Sequence, residues 1–333
     1  MGVTKLVFAA VLGTVALWLP SPSPSAQAQT APDPRAHHQL VYDADEQRAY
    51  LIGGSTRRGE GYRYFDDTWF WNGSSWMQAS PLPFPRSSHR VVHHAERSSL
   101  ILFGGGFGQA VRAEGVLWER RQGGWKAVGG DFRAGRAEPG MCYDRARGHV
   151  VIHGGWDADG AYRAETWEWG GADLVRVDLP GPGPRAGHAF LFDPVRERCL
   201  LFGGQGPDGY LSDTWEWNGV RWDRLEVPGP SARWFFGSAA DPEGRRIVIF
   251  GGRGPAAPIV GRDGAGDLAD TWAWDGERWA RLSGEGPSAR SMAKLAFTGA
   301  GVLLFGGRTE HPDGLEDHND TWELRGASWV RRR

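Results

Sequence analysis

Residues 185–225 read RAGHAFLFDPVRERCLLFGGQGPDGYLSDTWEWNGVRWDRL. The stretch divides into HAFLFD, RCLLFGG, TWEWNG and RWDRL. Asp193-Pro194 and Asn218-Gly219 mark tight turns between runs. Each run is too short for a helix and is bounded by turn signals, so the stretch predicts four antiparallel strands. One such sheet cannot bury both of its faces alone.

The same pattern recurs along the chain. Apolar runs end in Gly-Gly at Gly54, Gly105, Gly155, Gly204, Gly252 and Gly307, at intervals of 51, 50, 49, 48 and 55 residues. An Arg precedes each unit, at Arg35, Arg86, Arg136, Arg185, Arg233 and Arg290. A Trp follows each pair, at Trp69, Trp118, Trp167, Trp215, Trp272 and Trp322. An acid and Thr precede it in five units; unit two has Val116 and Leu117 instead. A later Trp recurs at Trp76, Trp125, Trp222, Trp279 and Trp329, with Leu174 in its place in unit three. The 50 Gly and 18 Trp of the 333 residues fit many short strands closed by turns and packed by large rings. Six stacked four-stranded sheets predict an all-β fold, a six-bladed β-propeller over residues 35–333. Blades start near residues 35, 86, 136, 185, 233 and 290. The repeated Trp residues are expected to pack between blades.

Apolar run, Gly-Gly, aromatic strand, later Trp and Pro-rich loop ending in Arg together resemble the Kelch-repeat family. The resemblance covers residues 33–333 and implies a propeller, while members include both enzymes and binding modules. Many members close the ring by exchanging a strand between termini. Here a first strand, HHQLVYD, is already present near residue 37, so closure without strand exchange is predicted.

Lys5, the apolar run Leu6–Leu19 and Ala26-Gln27-Ala28 have the layout of a secretory signal peptide over 1–28, followed by a linker over 29–34. The run is shorter than the roughly 20 residues of a spanning helix. A soluble, exported, monomeric protein is expected, periplasmic or extracellular, with no membrane span after cleavage. The net charge of -2 argues against nucleic acid as a partner. Cys142 and Cys199 are too few for a disulfide scaffold; a bond between them is conceivable, but two buried free thiols are expected.

Tracing one unit places the six Arg, the acids and all long connections on one face, leaving tight turns on the other. The long-loop face is therefore the expected binding face. A residue repeated in every blade points to scaffold more than to site, so pairing of each Arg with its acid is the leading reading. Unit two lacks that acid, which makes Arg86 a candidate ligand contact. Symmetry-breaking residues are the better pointers. The segments from Gly-Gly to the acid position hold 12, 10, 9, 8, 17 and 12 residues, so units five, six and one should raise a wall. Unit one contributes Arg58, Tyr62 and Tyr64; across the mouth stand Trp156 and Trp234 beside Arg233. Such rings suit a protein or carbohydrate ligand through stacking and cation–π contact, or equally pack between blades.

The loop holding His311, Asp313, Glu316, Asp317 and His318 reads as a solvated polar loop rather than a metal site. His38, His89 and His188 are expected in the core or lining the channel. No cofactor and no catalytic residue is assigned, and an enzyme is less expected than a binding or scaffold module. The alternative is a carbohydrate-active enzyme similar to Kelch-type sialic-acid mutarotases. A copper oxidase similar to galactose oxidase is set aside, because Tyr143 merely neighbours Cys142 and further domains are missing.

Overall fold

The computed structural model describes residues 31–333 except 107–114, 122–123, 256, 258–264, 283 and 333. The predicted signal peptide lies outside the described residues. Blade 1 comprises Gln39–Asp43, Arg48–Ile52, Thr68–Trp71 and Trp76–Ala79, paired antiparallel in that order. The inner strands of blades 2 to 6 are Ser87–His94, Gly140–Asp144, Ala189–Asp193, Gly237–Asp241 and Lys294–Phe297. Each begins another four-stranded antiparallel sheet. Consecutive inner strands touch around the whole ring, the sixth against the first. Blade 1 takes its four strands from the N-terminal side and blade 6 from Lys294–Arg332, so the six-bladed propeller closes without strand exchange.

The core is divided into six apolar wedges, one between each pair of neighbouring blades. Leu51, Trp69, Leu303 and Phe305 fill the wedge between blades 1 and 6. Ile101, Leu117, Ile152 and Trp167 fill that between blades 2 and 3. The strand-four Trp residues tie wedges together through polar bonds as well. Trp76 Nε1 donates to Thr321 Oγ1 at 3.0 Å, Trp222 to Thr166 at 3.2 Å, Trp279 to Thr214 at 3.2 Å and Trp329 to Thr271 at 2.9 Å. Each reaches back to the preceding blade. Two boundaries depart from this. Between blades 1 and 2, Trp125 Nε1 and Thr68 Oγ1 are present but find no partner among the described residues. Between blades 2 and 3, blade 3 has Leu174 where the Trp would be, and blade 2 has Leu117 where its Thr would be. Both lie in the same wedge. Donor and acceptor have been replaced together by apolar groups, which leaves neither orphaned.

The Gly pairs are explained by close approach, the first Gly to the next blade and the second to the start of its own blade's inner strand. The second Gly donates its N–H to the carbonyl of the next blade's leading Arg in all six places, from Gly54 N to Arg86 O at 2.8 Å round to Gly307 N to Arg35 O at 3.0 Å. At the first Gly of the pair, a Cβ on Gly53 would sit 2.5 Å from Arg86 O, and its φ is +58°. No side chain fits there.

A second belt circles the channel two residues beyond each Arg. Ser88 N donates to His37 O, Glu138 N to Ser88 O, Gly187 N to Glu138 O, Phe235 N to Gly187 O and Met292 N to Phe235 O. All six residues have positive φ, between 50° and 64°. Five hydrogen bonds thereby link these six residues in a chain around the channel rim, from Met292 round to His37.

The expectation of two free thiols is corrected: Cys142 and Cys199 form a disulfide, with Cα atoms 6.3 Å apart. The inner strand of blade 3 and the second strand of blade 4 face each other across one wedge, which brings residues 57 apart in sequence into contact.

Candidate functional site

The leading Arg residues are scaffold. Arg185 forks onto Asp213 at 2.7 and 2.8 Å, and Nη1 also donates to Gly203 O at 3.1 Å. Asp213 in turn accepts from Trp215 Nε1 at 2.7 Å. The same Arg–Asp–Trp unit recurs with Asp67, Asp270 and Asp320. Burial alone would raise the Asp213 carboxyl, but Arg185 and the indole hold it below its ordinary value; Asp270 and Asp320 behave alike. In blade 3 the longer Glu165 keeps the pair with Arg136 at 3.2 Å.

Arg233 is fully buried and occupied by Asp270. Arg86 is only 2% exposed; it donates to Gly104 O at 2.7 Å and lies over the Phe84 ring at 4.6 Å. Arg35 lies over the Phe65 ring in the same way, at 3.9 Å. Neither Arg86 nor Arg233 offers its guanidinium to the long-loop surface.

Trp156 and Trp234 do come together, from blades 3 and 5, with ring centroids 5.8 Å apart and edge to face. Trp234 stacks on Phe235 at 4.0 Å, and Tyr162 and Tyr210 flank the pair at 5.9 and 6.2 Å. Both Trp rings are half-buried. Arg58, Tyr62 and Tyr64 form a separate group on the hairpin Ser55–Arg58 and Gly61–Tyr64. Arg58 and Tyr62 are exposed, Tyr62 by 47%. The predicted wall exists. Hairpins of blades 1, 5 and 6 stand side by side, stitched by Asp317 accepting from Thr56 Oγ1 and Arg57 N, and by Asp267 accepting from Glu310 N. Asp317 also holds Arg308 at 2.7 Å, so this acid of the His311–His318 loop is committed to structure. Phe132, in the connection between blades 2 and 3, stands 89% exposed on the same face.

At the long-loop end of the channel His37 spans the opening. Its Nδ1 lies 2.7 Å from Glu138 Oε1, and its ring is 5.3 Å from Phe235. Below this plug a cavity of about 570 Å³ runs down the channel. Exposed tight-turn residues Ala44, Arg145, Glu197 and Arg245 form its rim, so it opens on the opposite face. Its walls are apolar, including Leu40, Met141, Phe190 and Leu295, and its inner end carries Gln39, Arg90, His188 and Lys294.

Glu138 is fully buried and pairs with Arg90 at 2.7 Å. Burial opposes its charge, but Arg90, Lys294 and His37 together hold the carboxyl well below its usual range. Burial, then Arg90, lowers the Lys294 ammonium to about 7, while Glu138 acts the other way. His38, His89 and His188 are buried as expected. Burial holds each well below the usual imidazole range, and both ring nitrogens of each find no partner among the described residues.

Sequence reasoning passed over Glu138, Arg90 and Lys294. The signal was available in register. The fourth residue after the leading Arg reads Gln39, Arg90, Gly140, Ala189, Gly237 and Lys294, two cations in a ring otherwise small or neutral. Among the described residues Asp43, Asp45 and His93 also cluster on the tight-turn face, with His93 Nε2 2.8 Å from Asp45.

No family model matches the chain. It is 28% identical over 207 residues to Mei4-dependent protein 6 of Schizosaccharomyces pombe, covering 52% of this chain and 29% of that protein. It is 31% identical over 147 residues to Host cell factor 2 of Homo sapiens, covering 39% of this chain and 17% of that protein. The chain thus spans less than a third of either relative. Six four-stranded blades and the similarity to Host cell factor 2 together support a Kelch-like propeller.

Proposed function

We propose that this chain is an exported binding module that takes a protein ligand on its long-loop face. The observation that carries the reading is Phe132, a large apolar ring left 89% exposed on the face that also bears Tyr62 and the Trp156–Trp234 pair. Exposed aromatic rings on loops held by a rigid scaffold are the usual anchors of protein interfaces. The Cys142–Cys199 bond supports export, since disulfides persist in oxidising compartments. Carbohydrate is the second reading, favoured by the paired indoles of Trp156 and Trp234.

Pull-down from the envelope fraction and a glycan array, each repeated with Phe132→Ala, Trp156→Ala and Trp234→Ala, test both readings. Capture of a specific protein that Phe132→Ala abolishes supports the first. Glycan binding that only the Trp variants abolish supports the second. Retention of every ligand by all three variants refutes a site on this face.

A further inference from the structure

We infer that the central channel is a second binding site, opening on the tight-turn face, for a small amphipathic molecule with a carboxylate head and an apolar tail. The site is separate from the long-loop face and does not depend on what binds there.

The charges at the inner end do not balance. Arg90 and Lys294 are two cations, and Glu138 is the carboxylate that acts on both. Glu138 is already taken up by Arg90 at 2.7 Å and His37 at 2.7 Å. No hydrogen bond or ion pair to Lys294 Nζ is found among the described residues, although this lysine is only 8% exposed and lines the cavity. Next to it Gln39 Nε2, also buried and lining the cavity, has no acceptor among the described residues. An ammonium and an amide N–H thus stand at the closed end of the cavity with nothing to donate to. A buried positive charge without a counter-ion is costly, and an anion placed there removes that cost. Burial first and Arg90 second lower Lys294 to about 7, and an anion beside it would act in the opposite direction.

The rest of the cavity selects the tail. Leu40, Met141, Phe190 and Leu295 line the middle, and a volume of about 570 Å³ falls in the range of small-molecule sites. The carboxylate would accept from Lys294 and Gln39, while the tail lies along the apolar walls toward the rim at Arg245. The plug formed by Glu138, His37 and Phe235 closes the other end, so the head group stops beside Lys294.

Calorimetric titration of the purified chain with 4-phenylbutyrate, 4-phenylbutanamide and 4-phenylbutylamine tests the assignment on the unaltered protein. The carboxylate should saturate one site, with the amide about tenfold or more weaker and the amine weaker still. Lys294→Gln should weaken 4-phenylbutyrate about tenfold. Ala240→Trp, which fills the channel toward its open end without touching the charged end, should do the same. Absence of saturable binding by the carboxylate, equal binding of the amide, or unchanged affinity in a folded Lys294→Gln protein overturns the proposal.

Discussion

Gly307 N donates to Arg35 O at 3.0 Å, and this bond joins the last blade to the first. It repeats what every other blade boundary does, so the ring is closed by the same contact that builds it. A Cβ on Gly307 would lie 2.8 Å from Ser291 O and from Ala293 N, at φ +99°. Gly307→Ala is expected to cost about 2–4 kcal/mol in urea unfolding. Gly73 separates the two causes: its φ is +98°, but nothing lies within 4 Å of its would-be Cβ. Gly73→Ala should cost only the backbone term, about 1–2 kcal/mol. Equal losses at both positions would remove the close-approach explanation.

The Cys142–Cys199 bond spans 57 residues and two blades. Restricting the unfolded chain by a loop of that length is worth about 4 kcal/mol in the chain-entropy description. Thermal melts with and without reductant should therefore differ, and the Cys142→Ala/Cys199→Ala double variant should match the reduced protein. Coincident melts of oxidised and reduced protein would show that the wedge between blades 3 and 4 needs no covalent tie.

The Arg–Asp–Trp units can be tested at blade 4. Asp213 is half-buried and accepts both Arg185 and the Trp215 indole, so Arg185→Met should cost about 2–3 kcal/mol by leaving the carboxylate without its cation. Chemical denaturation checks it; a loss below about 1 kcal/mol would mean that the pair contributes little to the fold.

The six-bladed plan was readable because the blades repeat one solution with few departures: Gly-Gly for the close approach, an Arg–acid pair, Trp for the wedge. The departures were visible as well, but not their coupling. Leu117 and Leu174 sit in different units and meet only once blade 2 packs on blade 3. Register alone could not show that one is the lost acceptor and the other the lost donor. The disulfide was missed for the same reason, since it too crosses a wedge. The charged end of the channel was not legible either. Glu138, Arg90 and Lys294 occupy strand-one or rim positions that carry unremarkable residues in other blades, and only closure of the ring turns them toward a shared centre.

The buried imidazoles make stability depend on pH in a window of their own. Burial lowers His38, His89 and His188, and brings His153 to about 3. Below about pH 6.5 the unfolded chain binds protons at these sites and the native chain does not, so stability falls as pH falls. Each contributes up to about 1.4 kcal/mol per pH unit. Asp213, Asp270 and Asp320, whose native values are depressed, add their loss only below about pH 4. Urea midpoints should therefore drop between pH 6.5 and 4.5, and His188→Phe should make the slope shallower. A flat profile over that window would show that these imidazoles are protonated in the native protein.

Lys294 should be a residue whose removal stabilises the fold. Arg90 of blade 2 and Glu138 of blade 3 face it, with His38 and His89 further away. Lys294→Met removes a buried ammonium while Glu138 keeps Arg90, so the variant should gain about 2 kcal/mol at pH 7. The sign of the pH dependence is also set. With the native value near 7, the unfolded chain carries the extra proton from there to about pH 10, so wild-type stability rises with pH over that range. The advantage of the Met variant should be largest below pH 7 and shrink toward pH 10. A lysine kept at the expense of stability is what a site for an external anion requires, and 4-phenylbutyrate should stabilise the wild type but not the Met variant. A Met variant less stable than wild type at pH 7 would instead make Lys294 a structural partner of Glu138, and the uncompensated charge in the channel would vanish with it.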